Sequence, residues 1–140
     1  MDGQFNQIIP MLSYEDGPTA LDWLCRVFGF SEKTRILDEN GRLAHGELLL
    51  GNGMIMLATP TADYQSPRHH RDVCSQAAKW SETPYIINGL LVYVEDVKQH
   101  FEHAKAAGAT ILSGIETGGP GTRYRVEDLE GQRWMFMQKD

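Results

Sequence analysis

The segment IIPMLSYEDGP, residues 8–18, decides the fold, because an apolar extended run leads directly into a helix start. Asp16 is a predicted N-cap and Pro18 suits the first helical turn. Apolar residues then recur at helical spacing, which predicts a helix over residues 19–28 that stops at Gly29. A strand followed by a helix therefore opens the chain.

Three strands are predicted after this helix, at residues 33–37, 43–50 and 54–59. Asn40-Gly41 is a strong hairpin-turn signal between the first two of them. Glycines at 51 and 53 mark a second tight turn. The first half of the chain is thus a βαβββ unit.

The same order recurs in the second half of the chain. Its predicted strands and helix are, in order, strand 89–94, helix 97–107 and strands 109–112, 121–126 and 133–138. Glu15-Asp16 and Glu95-Asp96 are 80 positions apart, as are Gly51 and Gly131. We therefore predict an α+β fold of two duplicated βαβββ modules, whose mixed sheets curl around a cleft because neither can bury a sheet face alone.

The two modules are predicted to form one domain over residues 1–140, with module 1 at about 5–60 and module 2 at about 85–140. Residues 61–84 form the connecting segment, with a short helical stretch at 72–80. The pair His69-His70 in this segment is expected to lie on a solvated loop. A connection of this length is uncommon without a purpose, such as a lid or a partner contact.

Composition restricts the function classes. The 140 residues hold 13 Lys+Arg against 19 Asp+Glu, a formal charge of −6, which disfavours nucleic-acid binding. No apolar run reaches the roughly 20 residues of a membrane span, and the first ten residues do not resemble a secretion signal. Two cysteines do not make a disulfide framework. We expect a cytoplasmic protein that contacts neither nucleic acid nor membrane.

Several short motifs, in this order and spacing, carry a family resemblance. They are Leu21-Asp22-Trp23-Leu24, Phe28-Gly29-Phe30, His45-Gly46-Glu47-Leu48, Met54-Ile55-Met56-Leu57 and Tyr124-x-x-x-Asp128-x-x-Gly131-x-x-Trp134-x-Phe136. Together they resemble the vicinal oxygen chelate superfamily, which holds glyoxalase I, bleomycin-resistance proteins and extradiol dioxygenases, and look most like its PhnB-like branch. The resemblance covers nearly the whole chain and implies a sheet-walled ligand cavity and, in many members, a homodimer.

Metal-dependent members of this superfamily carry one ligand on each of four strands. The resemblance places these positions at about Ile9, at Glu47, at about Gly89 and at Met135. Only Glu47 offers a ligand suited to Mg, Mn or Ni, which prefer oxygen and nitrogen donors. We therefore expect no metal and no other cofactor at the family's site.

Glu47 and His45 are the candidate catalytic residues, because two residues apart on a strand they share a face and a His–Glu pair can transfer a proton. A structural hydrogen bond between them is the alternative. Trp134, Phe136 and Met56 are predicted to contact a ligand together with Glu47 and His45, with core packing as the alternative.

The function expected from this pattern is binding of a small organic ligand in a sheet-walled cleft, as in a bleomycin-resistance-like protein. The alternative is a metal-dependent lyase, isomerase or dioxygenase of the same superfamily that uses Glu47. The sequence leaves open which ligand is bound, whether any catalysis occurs, and whether the modules pair within one chain or between two.

Overall fold

The computed structural model describes residues 7–138, which divide between Tyr64 and Gln65 into two compact units. The predicted module ends at residues 5 and 140 lie outside the described residues. Residues of the predicted connecting segment from Gln65 onward group with the second unit.

The first unit follows the predicted order of one strand, one helix and three strands. Strand β1 pairs in parallel with β4, which pairs antiparallel with β3, and β3 pairs antiparallel with β2, so the sheet order is β1-β4-β3-β2. The elements are β1 (Met11–Ser13), α1 (Gly17–Trp23), a π-helical turn (Leu24–Phe28), β2 (Ser31–Leu37), β3 (Leu43–Leu50) and β4 (Gly53–Ala58).

The N-cap and the end of the first helical segment are those predicted, and the helix begins at Gly17, two residues before the predicted start. The Asp16 carboxylate accepts a hydrogen bond from the Thr19 backbone N–H at 3.1 Å, as an N-cap does. Gly29 has φ +89°, a left-handed conformation that glycine adopts without a Cβ penalty, and it ends the helical segment. The last five helical residues, Leu24–Phe28, form a π-helical turn rather than continuing the α-helix.

The core of the first unit lies between α1 and one face of its sheet. Gly17 sits so close to β3 that a Cβ there would be 2.6 Å from Leu43 Cβ, and its backbone N–H donates to Thr59 Oγ1 at 2.9 Å. Apolar burial of this kind stabilises a fold by about 25 cal/mol per Å². The buried side chains include Leu21, Leu24, Val27, Phe28, Leu43, Leu48, Ile55 and Leu57.

The second unit begins with two additional short helices and then repeats the order of one strand, one helix and three strands. Its sheet order is β5-β8-β7-β6, with β5 and β8 parallel, which matches the first sheet strand for strand. The prediction of two βαβββ units is therefore confirmed. The elements are α2 (Pro67–Val73), α3 (Ser75–Trp80), β5 (Gly89–Tyr93), α4 (Val97–Ala106), β6 (Thr110–Glu116), β7 (Thr122–Glu127) and β8 (Arg133–Gln138).

The connecting segment is more helical than predicted. His69 and His70 lie in α2, so the prediction of a loop there is wrong. The side chain of Ser66 caps this helix by accepting from the His69 N–H at 3.2 Å, and Pro67 stands at its first turn. Within residues 7–138, no helix is long and apolar enough to cross a membrane.

Candidate functional site

Helix α1 covers only one face of the first sheet, and the opposite face carries a mixed row of side chains. The register aligns Met11, Met56, Glu47 and Thr34 across the four strands. Residues paired in register point to the same side of a sheet. Met11 is 80% exposed and Met56 is half-buried, so this row presents apolar surface around one carboxylate.

Glu47 is held by neighbours on both of its oxygens. Thr34 Oγ1 donates to Oε1 at 2.9 Å, and His45 Nε2 lies 3.0 Å from Oε2. The Lys33 Nζ is 3.9 Å from Oε1. The hydrogen bonds from His45 and Thr34 lower the pKa of Glu47 below its ordinary value. Because an ionised carboxylate only accepts, His45 Nε2 carries the proton in this contact.

The second sheet has an equivalent row on the face that α4 leaves uncovered. Leu91, Met135, Arg125 and Ser113 are aligned across β5, β8, β7 and β6. Leu91 is 51% exposed, and Arg125 and Met135 are half-buried. The row thus combines apolar surface with one cation, in the place where the first sheet has Glu47.

A cavity of about 290 Å³ opens beside this second row. Its walls are formed by β5, β8 and β7 and by residues of the preceding segment 84–87. Small-molecule sites typically occupy roughly 300–1,000 Å³ and combine apolar walls with a few polar groups. The lining residues that bear on its chemistry are Tyr85, Leu91, Arg125, Arg133, Trp134 and Met135.

Arg133 holds the wall of this cavity in place. Its Nη1 donates to the carbonyl oxygens of Thr83 at 2.6 Å and Ile86 at 3.2 Å, and its Nη2 donates to Ser81 O at 2.6 Å. Nε donates to Glu127 at 3.1 Å, and Nη2 lies 3.0 Å from the same carboxylate. All five guanidinium N–H groups therefore face acceptors within the second unit.

Glu127 is the buried centre of an arginine cluster. Its side chain is 1% exposed, and Arg71 binds it through two hydrogen bonds, one of them 2.8 Å between Nη2 and Oε1. Arg68 Nη2 approaches Oε1 at 3.7 Å. Burial alone would raise the pKa of Glu127, but the hydrogen bonds and charges of Arg71 and Arg133 outweigh it and lower that pKa.

Two of the predicted ligand contacts lie in the core of the second unit. Phe136 is fully buried against His100 of α4, with ring centroids 4.1 Å apart, on the helix-covered face. Trp134 is 1% exposed, and its indole N–H donates to Asp128 Oδ2 at 3.1 Å. Phe136 is therefore a core residue. Trp134 is also packed in the core, and it lines the edge of the cavity as well. Met56 lies on the uncovered face of the first sheet, beside Glu47.

The four positions that the resemblance assigned to metal ligands do not make a donor set. Ile9 and Gly89 have no donor atom in their side chains, and Met135 offers a soft thioether that hard divalent ions disfavour. Glu47 adds one carboxylate and has His45 beside it. Across residues 7–138, no group of three or more His, Cys, Asp or Glu side chains is placed to hold a metal ion.

Arg125 is the site residue that sequence reasoning missed. Nothing around it in the sequence distinguishes it from the charged residues on either side, Arg123 and Glu127. A signal was nevertheless present, because Arg125 alternates with the buried Tyr124 and Val126 and must point away from α4.

The comparisons with known proteins agree on the fold. The family profile described as Glyoxalase/Bleomycin resistance protein/Dioxygenase superfamily matches residues 5–136. An uncharacterized protein of Mycobacterium bovis is 28% identical over 134 residues, which cover 92% of this chain and 80% of that protein.

Solved structures extend this similarity. TioX from Micromonospora sp. ML1 is 31% identical, with a TM-score of 0.69 over 96% of this chain and 97% of that one. TnmS3, an antibiotic binding protein from Streptomyces sp. CB03234, is 14% identical, with a TM-score of 0.63 over 98% of this chain and 99% of that one. The fosfomycin resistance protein FosX from Listeria monocytogenes is 11% identical, with a TM-score of 0.65 over 98% and 95% of the two chains. At the low sequence identities of TnmS3 and FosX, the similarity shows a shared fold only.

Proposed function

The chain belongs to the glyoxalase/bleomycin resistance protein/dioxygenase superfamily, and from this premise we propose that it binds a small organic ligand against its sheets without a catalytic metal. The fold alone does not select among the activities of a superfamily, so the side chains of the two sheets decide which activity is possible. The PhnB-like branch and the cytoplasmic location remain predictions from the sequence.

The observation that carries the proposal is the uncovered face of each sheet. In both units the helix packs on one face, and the other presents an apolar row with a single ionic side chain, Glu47 or Arg125. Exposed apolar surface next to a few polar groups is typical of a ligand-binding surface. The cavity of about 290 Å³ beside Leu91 gives this surface a concave part in the second unit.

Binding suits Glu47 better than general-base catalysis does. A general base works best when its pKa lies near the operating pH. The hydrogen bonds from His45 and Thr34 lower the pKa of Glu47, so its carboxylate is a weak base at neutral pH. A fixed negative charge of this kind is suited to attract a cationic or hydrogen-bond-donating group of a ligand.

The alternative function is a metal-dependent lyase, isomerase or dioxygenase that uses Glu47. Lewis-acid catalysis of this kind requires a metal held by several protein ligands. The positions carried over from the family supply one carboxylate, so the residues present do not fit that group. Metal analysis of the purified chain separates the two functions, because one equivalent of bound Ni, Zn, Fe or Mn supports the enzyme.

A fluorescence titration with N-phenylnaphthylamine, an uncharged aromatic probe, tests the proposed binding. We expect saturable binding that weakens when Leu91→Ser or Met56→Ser places a hydroxyl on an uncovered face. Val73→Ser is the matched control, because Val73 is 62% exposed on α2, away from both sheets. Equal effects of all three substitutions, or no saturable binding by the unmodified chain, would reject the proposal.

We also propose a homodimer as the binding form, as the family resemblance implies. Tyr93 and Met11 leave apolar surface exposed on edge strands of the two sheets, and a second copy can cover such surface. Analytical ultracentrifugation is expected to show twice the mass of the 15.8 kDa chain, and a monomer at all concentrations would reject the dimer.

A further inference from the structure

We infer that the cavity of the second unit selects organic anions, with Arg125 binding the acidic group and the apolar wall binding the body of the ligand. The inference rests on the proposed ligand-binding function and adds the chemical class of the ligand. It is carried by the cavity, by the bonding of its two arginines, and by the distribution of charge around them.

Arg125 is the available cation of the cavity. The two lining arginines differ, because every guanidinium N–H of Arg133 already faces an acceptor, as described above. Arg125 is half-buried, and its guanidinium makes no hydrogen bond or ion pair with any residue that the structure describes. A guanidinium offers five N–H donors, in a fork that fits a carboxylate or sulfonate with two parallel hydrogen bonds.

The nearest carboxylate on the same strand does not neutralise Arg125. Glu127 lies two residues further along β7 and therefore faces the same side of the sheet. Its oxygens are bound by Arg71 and Arg133, and Arg68 lies 3.7 Å away. The carboxylate of Glu127 is thus already engaged by other arginines and is not the partner of Arg125.

The lining of the cavity contains no opposing negative charge. Among the described residues that form it, two are arginines and none is an aspartate or glutamate. Met135 and Trp134 on the neighbouring strand β8, and Leu91 on β5 beyond it, supply apolar wall. An anion bound here keeps its acidic group at the cation while its apolar body leaves water.

An unpartnered hydroxyl lies on the strand next to Arg125. Ser113 is its register partner on β6 and faces the same side of the sheet. The Ser113 Oγ is buried and has no hydrogen-bond partner among residues 7–138. Ser113 is not among the residues that line the cavity, so this hydroxyl marks the row of Arg125 as polar without being assigned to the ligand.

The test compares two probes that share one ring system. Anilinonaphthalene sulfonate is an organic anion, and N-phenylnaphthylamine is its counterpart without the sulfonate. In fluorescence titrations of the full chain, we expect the sulfonate to bind about tenfold or more tightly than the neutral amine, because it gains charge-assisted hydrogen bonds.

Variants then assign this preference to Arg125. Arg125→Met is expected to abolish the preference, measured as the ratio of the dissociation constants of the two probes. Arg125→Lys should retain part of the preference, because it keeps the charge without the fork. Arg42→Met is the control, since Arg42 lies at the β2–β3 hairpin of the first unit.

The failures of the two proposals are distinguishable. Equal affinities for the two probes, or equal losses in Arg125→Met and Arg42→Met, would overturn the selection of anions while the proposed ligand binding stands. Absence of saturable binding by either probe would overturn both. If Arg125→Met lowers the thermal midpoint of the fold, Arg125→Lys still tests the role of Arg125. A variant that has no cation at position 125 and keeps the preference for the sulfonate would show that Arg125 does not bind the anion.

Discussion

Glu47 and Arg125 occupy equivalent positions in the two sheets and carry opposite charges. Each lies on the third strand of its unit and is paired in register with a methionine of the last strand, Met56 for Glu47 and Met135 for Arg125. Both point away from the helix that covers their sheet. The two sheets thus place side chains of opposite charge at the same point of the same strand order.

The first prediction concerns the charge of Glu47. Glu47→Gln is expected to weaken binding of proflavine, a cationic aromatic probe, by about 2- to 5-fold, the range of an ion pair in a partly exposed place. Fluorescence titration measures the dissociation constant. The fold should be unchanged, because Gln keeps the acceptor for Thr34 and the shape of the side chain.

The matched control for this substitution is Glu39→Gln, which removes the same charge from the exposed tip of the β2–β3 hairpin. It should leave the dissociation constant of proflavine unchanged. Equal losses in both variants would mean that only the net charge of the chain matters, and collapse of the Glu47→Gln fold would make Glu47 a structural residue.

The second prediction concerns the buried cluster of Glu127. Glu127→Gln should lower the free energy of unfolding by about 3–5 kcal/mol, because it leaves the guanidinium of Arg133 buried without its counter-charge. Urea denaturation followed by circular dichroism measures this. Glu102→Gln, at an exposed position of α4, should change the free energy by less than about 0.5 kcal/mol. A Glu127→Gln variant as stable as that control would contradict the account.

The third prediction concerns acid stability. The folded state lowers the pKa of Glu127, so its ionised form stabilises the fold above the unfolded pKa of about 4.5, and this contribution is lost as the pH falls below that value. Thermal midpoints measured between neutral pH and about pH 3 should fall for the unmodified chain. The fall should be shallower in Glu127→Gln, and identical slopes in the two proteins would count against a lowered pKa.

The fourth prediction concerns the contact between α1 and β3. Gly17→Ala should destabilise the fold by about 1–3 kcal/mol, because the new Cβ meets Leu43 and Thr59 at under 3 Å. Gly114→Ala is the control, since a Cβ there meets nothing within 4 Å. Urea denaturation of both variants provides the comparison, and equal free energies of unfolding would show that helix and sheet do not pack this closely.

Local signals in the sequence predicted most of the scaffold. The N-cap Asp16, the stop at Gly29 and the Asn40-Gly41 turn are each determined by a few neighbouring residues. Strand β8 begins and ends at its predicted residues, and four of its six side chains are buried. The missed start of α2 had a local signal too, since Ser66-Pro67 is a cap followed by a first-turn proline.

The candidate site was less predictable, because its contacts join distant parts of the chain. Arg71 and Glu127 are 56 positions apart, and no periodicity relates them. Arg133 looks like an ordinary strand residue in the sequence, yet its guanidinium donates hydrogen bonds to backbone carbonyls of the segment 81–86. Phe136 was a candidate for ligand contact because its type fits, and the register of β8 decided that it faces α4.

The most direct test of the central claim is a titration of the chelator-treated full chain with N-phenylnaphthylamine. The account predicts saturable binding, with an affinity that does not change when Ni, Zn, Fe or Mn is returned. Binding that is absent after chelation and is restored by one equivalent of such an ion would contradict it.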